Sequence, residues 1–378
     1  MKNLSLNDQT QAVILPHLQE TEHLLARAAT KVSGRDRSAE ITVMPDLGLP
    51  HNVRRILGGF FTGALYNWES DVPLVPVDAT VNSCGVSMFK LNDDIASKDE
   101  FDRRVASAIR TSKDRSSYLW NFDSGNHFVI YGEVNGAKTL PDGKYALMHS
   151  SASEFKKQHN GLYPTESNWF ADRVETIEDT QTGRYIRYIQ GKTAERFIQL
   201  AQSLDVFNQI RHRYFAETIF GAKNIEQEII NEQHYGMPTA NSVAIGCQWS
   251  RERMLPLLTA PEKPIFLVKP HEGDQNDVSI DGKNLLLYPH GLGKEASKPL
   301  EIAFRPDSLT LNGKTFGPDA SIKDEKAFRL RNFEHAEADG ENVPRIVSDI
   351  LTVCPAEIVG KVRQLFSYHS KAPLSSTA

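Results

Sequence analysis

The chain has 378 residues, of which 40% are hydrophobic and 24% are charged, and it carries a formal net charge of −5. These values are ordinary for a globular protein that is long enough to bury a sizeable core. The acidic balance argues against nonspecific coating of nucleic acid, but it is compatible with a local basic groove. Three cysteines, an odd and sparse set, do not suggest a disulfide framework.

The ends and the middle of the chain carry no sign of targeting or of a linker. Residues 1–11 are polar, and no apolar run approaches the length of a membrane span. We therefore expect a cytoplasmic protein without membrane contact, whose thiols stay reduced and available to a metal. With no internal repeat and no linker rich in Pro, Gly or Ser, we expect one domain over residues 1–371, followed by a flexible tail at 372–378.

In the first part of the chain, the sequence predicts one helix and then short strands. Residues 16–31 carry apolar side chains at loosely helical spacing, and Pro16 suits a first helical position. Residues 41–44 predict a strand that stops at Pro45-Asp46. Residues 127–134 and 145–148 predict two further strands, the second ending at His149.

The clearest helix is predicted over residues 193–220. Its apolar side chains recur every three or four residues; they are Phe197, Leu200, Ala201, Leu204, Phe207, Ile210, Tyr214 and Phe215. Arg211 and Arg213 fall on its other, polar face.

Fewer signals mark the rest of the chain. A second helix is predicted over residues 225–233, and strands over 264–268 and 284–288. Residues 344–366 predict mostly helix, with a break at Pro355.

Four residues follow closely on apolar, strand-like runs and are therefore candidate site residues: Asp46, His149, His271 and His290. Strand ends are rigid platforms, and the residues just beyond them carry function more often than packing. His290 is followed by Gly291 and Gly293, which let the backbone approach a ligand closely. A plain glycine-rich turn after a strand is the alternative interpretation.

Cys84, His127 and His149 are candidate metal ligands. A lone cysteine is more often a small buried hydrophobe, and a histidine beside apolar residues is more often satisfied within the core. Together, however, one thiolate and two imidazoles suit a first-row transition metal such as Mn, Zn or Fe. Their wide separation in sequence means that only the folded chain can bring them together.

Four motifs, taken in order, resemble the RtcB family of RNA ligases: Asn82-Ser83-Cys84-Gly85, Gly125-Asn126-His127-Phe128, Met148-His149-Ser150 and His290-Gly291-Leu292-Gly293. The resemblance extends from Met44-Pro45-Asp46 to Lys371, so it covers most of the chain. It implies a single composite α+β domain, with mixed and antiparallel sheets and surrounding helices around a central metal-site cleft.

The resemblance also implies a reaction. RtcB ligases use GTP and Mn²⁺ (one or two ions) to join RNA 3′-phosphate or 2′,3′-cyclic phosphate ends to 5′-hydroxyl ends, as in tRNA splicing and RNA repair. The implied partners are therefore GTP and RNA ends, either tRNA halves or damaged RNA. By position, His290 resembles the histidine that becomes guanylylated, and Asp46 the aspartate that orients it. Cys84, His127 and His149 resemble metal ligands, while Asn126, Lys371, Gly291 and Gly293 resemble nucleotide-contacting residues.

The chain departs from the family at several of these positions. Val81 stands where the family has a metal-binding aspartate, and Asp78 is the nearest acid that could replace it. Glu226-Gln227 stands where a His-Asn pair is expected, although a shifted register would instead offer Lys223-Asn224, and Glu226 is a further candidate ligand. Both lie upstream of Glu232-Gln233-His234-Tyr235-Gly236, which resembles the family's Glu-x-His element.

Two nucleotide-binding features also differ. Ile130 replaces an acid, and Ser153 replaces a phosphate-facing arginine, with Glu154 beside it. The alternatives to an active ligase are a non-ligating relative that binds RNA ends or nucleotide through a reduced metal site, and a metal-dependent phosphoester hydrolase. Eleven basic residues are available to an RNA backbone, although a solvated surface is the plainer explanation for most of them; they are Arg54, Arg55, Arg103, Arg104, Arg110, Lys113, Arg115, Lys156, Lys157, Arg211 and Arg213.

Overall fold

The computed structural model describes residues 1–115, 118–152, 154, 161–250, 254–259, 263–271, 273, 275–293, 299–322, 342–370 and 374. Within these ranges the chain combines helices with mixed sheets, so the expected α+β class is confirmed. No helix in the described ranges has both the length and the apolar character needed to span a membrane.

Five α-helices lie in the described ranges: α1 (Gln9–Ser33), α2 (Val53–Leu57), α3 (Lys98–Arg115), α4 (Gly191–Phe220) and α5 (Asn342–Val353). The start predicted for α1 is wrong by seven residues. Asp8 caps the helix by accepting from the backbone N–H groups of Thr10 and Gln11, and the Gln11 side chain closes the capping box. Pro16 therefore lies inside the helix.

The long helix α4 confirms the prediction for residues 193–220, but its buried face is rotated from the predicted one. Arg211 and His212 are fully buried, whereas Ile210 is 52% exposed. The apolar spacing predicts Arg211 on the solvent face of the helix, and an arginine is rarely buried unless it is paired. Here partners from neighbouring segments satisfy it, as described below.

Twenty strands lie in the described ranges: β1 (Lys2–Asn3), β2 (Ala39–Gly48), β3 (Thr62–Trp68), β4 (Leu74–Pro76), β5 (Cys84–Leu91), β6 (Phe128–Val134), β7 (Gly143–Ser150), β8 (Glu175–Glu178), β9 (Tyr185–Gln190), β10 (Ile225–Gly236), β11 (Ser242–Ile245), β12 (Cys247–Ser250), β13 (Leu255–Leu257), β14 (Ile265–Pro270), β15 (Asp277–Ile280), β16 (Lys283–Pro289), β17 (Ile302–Arg305), β18 (Ser308–Leu311), β19 (Lys314–Phe316) and β20 (Ala356–His369).

Eleven strands form the main sheet, in the order β1-β2-β3-β11-β10-β5-β7-β6-β20-β14-β13. β1 and β2 pair in parallel, and the remaining neighbours pair antiparallel. Three antiparallel three-stranded sheets complete the described fold: β12-β16-β15, β17-β18-β19 and β4-β9-β8. α4 packs on β5, β7 and β10, while α1 packs on β2, β3 and β9.

Two predicted helices are strands in the structure. Residues 225–233 lie in β10, which pairs along its length with β5. Residues 356–366 lie in β20, between β6 and β14, although the helix before Pro355 is correct as α5. Strands inserted between two others gain hydrogen bonds and packing on both sides, which overrides a weak local helical pattern.

Candidate metal centre

The site begins where β5 starts with Cys84, between β10 and β7. On the β7 side, Val86 pairs with His149, which lies within the strand rather than beyond its end as predicted. On the β10 side, Gly85 is required by close packing, because a Cβ there would lie 2.7 Å from the backbone carbonyl oxygen of Glu232. The strands on both sides of Cys84 can therefore bring side chains to its thiol.

His234 reaches the thiol through a bulge in β10. Gln233 pairs with Gly85 and Tyr235 pairs with Cys84, so His234 is an extra residue in the register. A bulge places two residues opposite one and redirects a side chain that regular alternation would send elsewhere. Both His234 and Tyr235 consequently lie opposite Cys84.

Three buried side chains converge here. Sγ of Cys84 lies 3.2 Å from Nε2 of His149, and that nitrogen lies 3.2 Å from Nε2 of His234. The three ligand atoms all lie within 4.8 Å of one another. Two nitrogens bound to one tetrahedral zinc ion lie about 3.3 Å apart, given Zn–N bonds of about 2.0–2.1 Å. The Cys84–His149–His234 cluster can therefore hold a metal ion.

Backbone carbonyls orient two of the neighbouring imidazoles. Nδ1 of His149 donates to the carbonyl of Asn126 at 3.0 Å, and Nδ1 of His127 donates to the carbonyl of Asn121 at 2.8 Å. In a neutral ring this leaves Nε2 unprotonated, which is the state that binds a metal. Nε2 of His127 lies 3.7 Å from Sγ of Cys84, so His127 adjoins the cluster without belonging to its compact three-residue group.

Burial keeps these imidazoles neutral. Desolvation, followed by the nearby His290, lowers the pKa of His149 to about 3. The same two causes, in the same order, hold the pKa of His234 well below its ordinary value. One thiol and two neutral imidazoles form a donor set that suits Zn, Fe or Mn.

His290 lies beside the cluster and is held by Asp46. Nδ1 of His290 donates to Oδ2 of Asp46 at 2.5 Å, and the carbonyl of Gly246 lies 2.9 Å from the same nitrogen. The backbone N–H of His290 also donates to Oδ2 of Asp46, at 3.1 Å. The rings of His290 and His234 are 4.9 Å apart, centroid to centroid. With Nδ1 occupied, Nε2 is the nitrogen of His290 that is available for chemistry.

The glycines around His290 are required by this arrangement. Gly293 has a φ of +80°, and a Cβ there would lie 2.7 Å from Cα of Asp46. Gly246 has a φ of +63°, and a Cβ there would lie 3.0 Å from Cε1 of His290. A side chain at either position would displace the Asp46–His290 pair, so these glycines serve close approach rather than flexibility. Gly291 is buried and bridges to Leu258.

The structure does not bring Asp78 or Glu226 to the cluster. Asp78 is fully buried and forms a two-pronged ion pair with Arg187, through Oδ2 to Nε at 2.8 Å and through Oδ1 to Nη2. Glu226 pairs with Lys90 at the far end of the β5–β10 ladder, about 25 Å from His234 at the usual rise per residue. Both carboxylates therefore have partners that compete with a metal ion.

Other sequence candidates fall into three groups. Asn126 is exposed and contributes its backbone carbonyl to His149. His271 is exposed at the end of β14 and takes no part in the cluster. Lys371 and Ser153 lie outside the described residues.

A buried polar network supports the cluster from α4. Arg211 pairs with Glu154 at 2.9 Å, which neutralises that acid, and donates to Oγ of Ser150 at 2.6 Å. Its other amino group donates to the side chain of Asn121, whose backbone carbonyl holds His127. Since Ser150 follows His149 and Asn121 holds His127, Arg211 braces two of the imidazole-bearing segments at once.

Sequence reasoning missed two members of the site. His234 stands within the Glu232–Gly236 element, but the sequence assigned it no ligand role. Arg211 was interpreted as a surface residue. A signal for His234 was available in that element, whereas nothing local distinguishes Arg211 from its solvated neighbours.

No protein-family model matches the chain, and no curated protein matches it.

Proposed function

We propose that the chain is a metal-dependent RNA ligase of the RtcB type, which joins RNA 3′-phosphate or 2′,3′-cyclic phosphate ends to 5′-hydroxyl ends and uses GTP. One observation carries the proposal. His290, fixed through Nδ1 by Asp46, lies 4.9 Å from the ring of His234 in the metal cluster. A nucleophile held in one tautomer beside a cation site suits attack on a phosphate.

In this mechanism Nε2 of His290 attacks the α-phosphorus of GTP. A phosphorus–nitrogen bond forms as the bond to pyrophosphate breaks. Asp46 holds the proton on Nδ1 and stabilises the positive charge that develops on the ring. Cys84, His149 and His234 would hold the metal ion, which supplies charge neutralisation for the phosphate oxygens.

The later steps transfer the guanylyl group and then release it. An oxygen of the RNA 3′-phosphate attacks the phosphorus on His290, and the phosphorus–nitrogen bond breaks. The 5′-hydroxyl then attacks the activated 3′-phosphorus and GMP leaves. The pKa of His149 and that of His234 are held low, so both rings remain ligands while His290 exchanges its substituent.

The test is a covalent-adduct assay. Full-length protein incubated with GTP and Mn²⁺ is expected to gain one GMP that acid removes, measured by intact-protein mass spectrometry. His290→Ala should abolish the adduct, and Asp46→Asn should slow its formation by about 100-fold or more, because the ring loses its orienting carboxylate. His23→Ala, at an exposed histidine of α1, is the matched control. Wild-type protein that forms no adduct with GTP or any other nucleoside triphosphate would refute the proposal.

A second candidate is a non-ligating protein that binds RNA ends with a reduced metal site. The ion pairs of Asp78 with Arg187 and of Glu226 with Lys90 favour it, because they withdraw both replacement ligands from a second metal. It predicts tight binding of 3′-phosphate RNA with no joined product. Ligation of such ends by the purified protein would exclude this candidate.

A further inference from the structure

An arginine near the cluster has no carboxylate partner among the described residues. Arg55, on the short helix α2, is half-buried, and none of the described acidic residues forms an ion pair with it. Two other arginines do have carboxylate partners: Arg54 pairs with Asp319, and Arg187 pairs with Asp78. A partly desolvated guanidinium without a counter-ion is unfavourable unless an anion binds to it.

Arg55 is held in one orientation. Its Cζ lies 4.2 Å from the ring centroid of Tyr235, and its Nε donates to Oγ1 of Thr80 at 2.6 Å. The Tyr235 hydroxyl in turn donates to the carbonyl of Thr80 at 2.8 Å. The stacked ring fixes the plane of the guanidinium, and the bond to Thr80 occupies its Nε. Among the described residues no acceptor takes a hydrogen bond from the two terminal amino groups, so this edge is available to a two-pronged oxyanion.

Tyr235 connects Arg55 to the metal centre. Tyr235, on which Arg55 stacks, pairs with Cys84 in the β5–β10 ladder and follows His234 in sequence. Burial lowers the pKa of Arg55 to about 10, while Tyr163, Tyr66 and Cys84 act in the opposite direction, so the thiol is within electrostatic reach. Arg55 remains charged at any physiological pH.

A divalent metal ion held by Cys84 would add positive charge near Arg55. The Cys84 thiolate is then a ligand of a divalent cation, and the pocket holds the excess charge of the ion together with that of Arg55. The Asp46 carboxylate, whose Oδ2 accepts two hydrogen bonds from His290, offsets one of these charges and leaves the pocket net positive. A multiply charged oxyanion is the ligand that balances such a pocket and matches the fork of a guanidinium.

We infer that Arg55 is a phosphate-binding residue of this centre, whose terminal amino groups grip the oxygens of a phosphoryl group beside the metal ion. That the bound oxyanion is a phosphate rests on the proposed function. That Arg55 has no ion-pair partner among the described acidic residues is independent of that function. Two substrates of the proposed reaction carry such a phosphoryl group: GTP in its polyphosphate and the RNA end in its 3′-phosphate.

Equilibrium binding tests the inference without requiring catalysis. The full chain in Mn²⁺ is titrated separately with α,β-methylene GTP, with a 3′-phosphorylated RNA oligonucleotide and with its 3′-hydroxyl counterpart. Arg55→Gln should weaken at least one phosphate probe by about tenfold or more, because charge-assisted hydrogen bonds are lost. Arg55→Lys should fall between Arg55→Gln and wild type. Arg54→Gln, the adjacent arginine already paired to Asp319, should stay within about twofold of wild type.

The probe that weakens identifies the source of the phosphate. If Arg55→Gln binds both phosphate probes as tightly as Arg54→Gln does, or if wild type binds neither, the inference is overturned. Wild type that forms no GMP adduct but loses phosphate affinity on Arg55→Gln would sink the proposed ligase and leave this site standing. Should Arg55→Gln fail to fold, wild-type crystals soaked in tungstate decide: an anion on the Arg55 fork is expected, and anions bound only elsewhere contradict it.

Discussion

At the scale of single residues, Asp205 of α4 carries a buried carboxyl whose Oδ1 has no hydrogen-bond partner among the described residues. A Cβ at Gly236, two residues after His234, would lie 2.9 Å from that oxygen, so the carboxyl packs tightly against β10. Burial raises the pKa of Asp205 from its ordinary value of 3.8 to about 7. The folded protein therefore keeps this proton over a range in which the unfolded chain has released it.

This difference predicts how stability depends on pH. Between about pH 4 and pH 7 the folded state binds more protons at Asp205 than the unfolded state does, so the free energy of unfolding falls as pH rises through that window. Asp205→Asn removes the effect and should stabilise the protein relative to wild type by about 2–4 kcal/mol more at pH 8 than at pH 4. Urea unfolding at both pH values measures it.

Glu195→Gln, at an exposed position on the same helix, is the control and should leave the pH profile of wild type unchanged. An Asp205→Asn profile parallel to that of wild type would show that the carboxyl is not desolvated in the folded protein.

At the scale of elements, α1 contains a built-in weakness. Pro16 is exposed within the helix, so it lacks the N–H that would bond to Ala12 and its ring crowds that turn. The proline destabilises the wild-type helix by about 3 kcal/mol, and Pro16→Ala removes this penalty by restoring the hydrogen bond. The alanine also gives the unfolded chain more conformational freedom, which offsets about 0.4–1 kcal/mol of the gain. We expect a net stabilisation of about 1–3 kcal/mol in urea unfolding, with unchanged metal binding.

Pro306 provides the contrast. It begins the two-residue turn between β17 and β18, where a fixed φ is favourable. Pro306→Ala should therefore destabilise slightly, by about 0.4–1 kcal/mol. If both substitutions shift stability in the same direction, the argument from local backbone geometry fails.

Elements also show where sequence patterns mislead. Residues 225–233 have isoleucines at helical spacing, yet they form part of β10 because β5 pairs with them along the strand. The predictions for α4 and β6 are correct, since α4 has a long helical periodicity and β6 opens with a short β-rich apolar run.

At the scale of the whole molecule, the metal cluster ties together three strands that are far apart in sequence. Cys84 belongs to β5, His149 to β7 and His234 to β10, and these strands are adjacent in the main sheet. An ion bound by all three stabilises only the folded chain. A divalent metal at about 100 times its Kd should add about 2.7 kcal/mol to the free energy of unfolding.

This prediction is checked by thermal unfolding with and without Zn²⁺, Mn²⁺ or Co²⁺. Wild type should show a rise in Tm with at least one ion, and Co²⁺ should give a thiolate charge-transfer absorption. Cys84→Ala and His234→Ala should lose both signals. Cys354→Ala, at a buried cysteine that is not one of the three cluster residues, should keep the metal-induced rise even if its own Tm is lower. A rise retained in Cys84→Ala would contradict the assignment.

Much of the site could be predicted from sequence because its motifs are local. Gly125-Asn126-His127 and His290-Gly291-Leu292-Gly293 place chemical groups next to strand ends, and such patterns can be recognised without knowing the fold. The Asp46–His290 pairing was expected from resemblance, and the structure places the two side chains in contact.

The sequence by itself predicted the long helix α4 and named Cys84, His127 and His149 as candidate metal ligands, because periodicity and side-chain chemistry are local properties, whereas the α+β class was expected from the resemblance. Tertiary structure alone decided which residues meet. A one-residue bulge in β10 brings His234 opposite Cys84, while ion pairs with Arg187 and Lys90 hold Asp78 and Glu226 elsewhere. Register and charge pairing arise between segments far apart in the chain, and therefore cannot be determined from the local sequence.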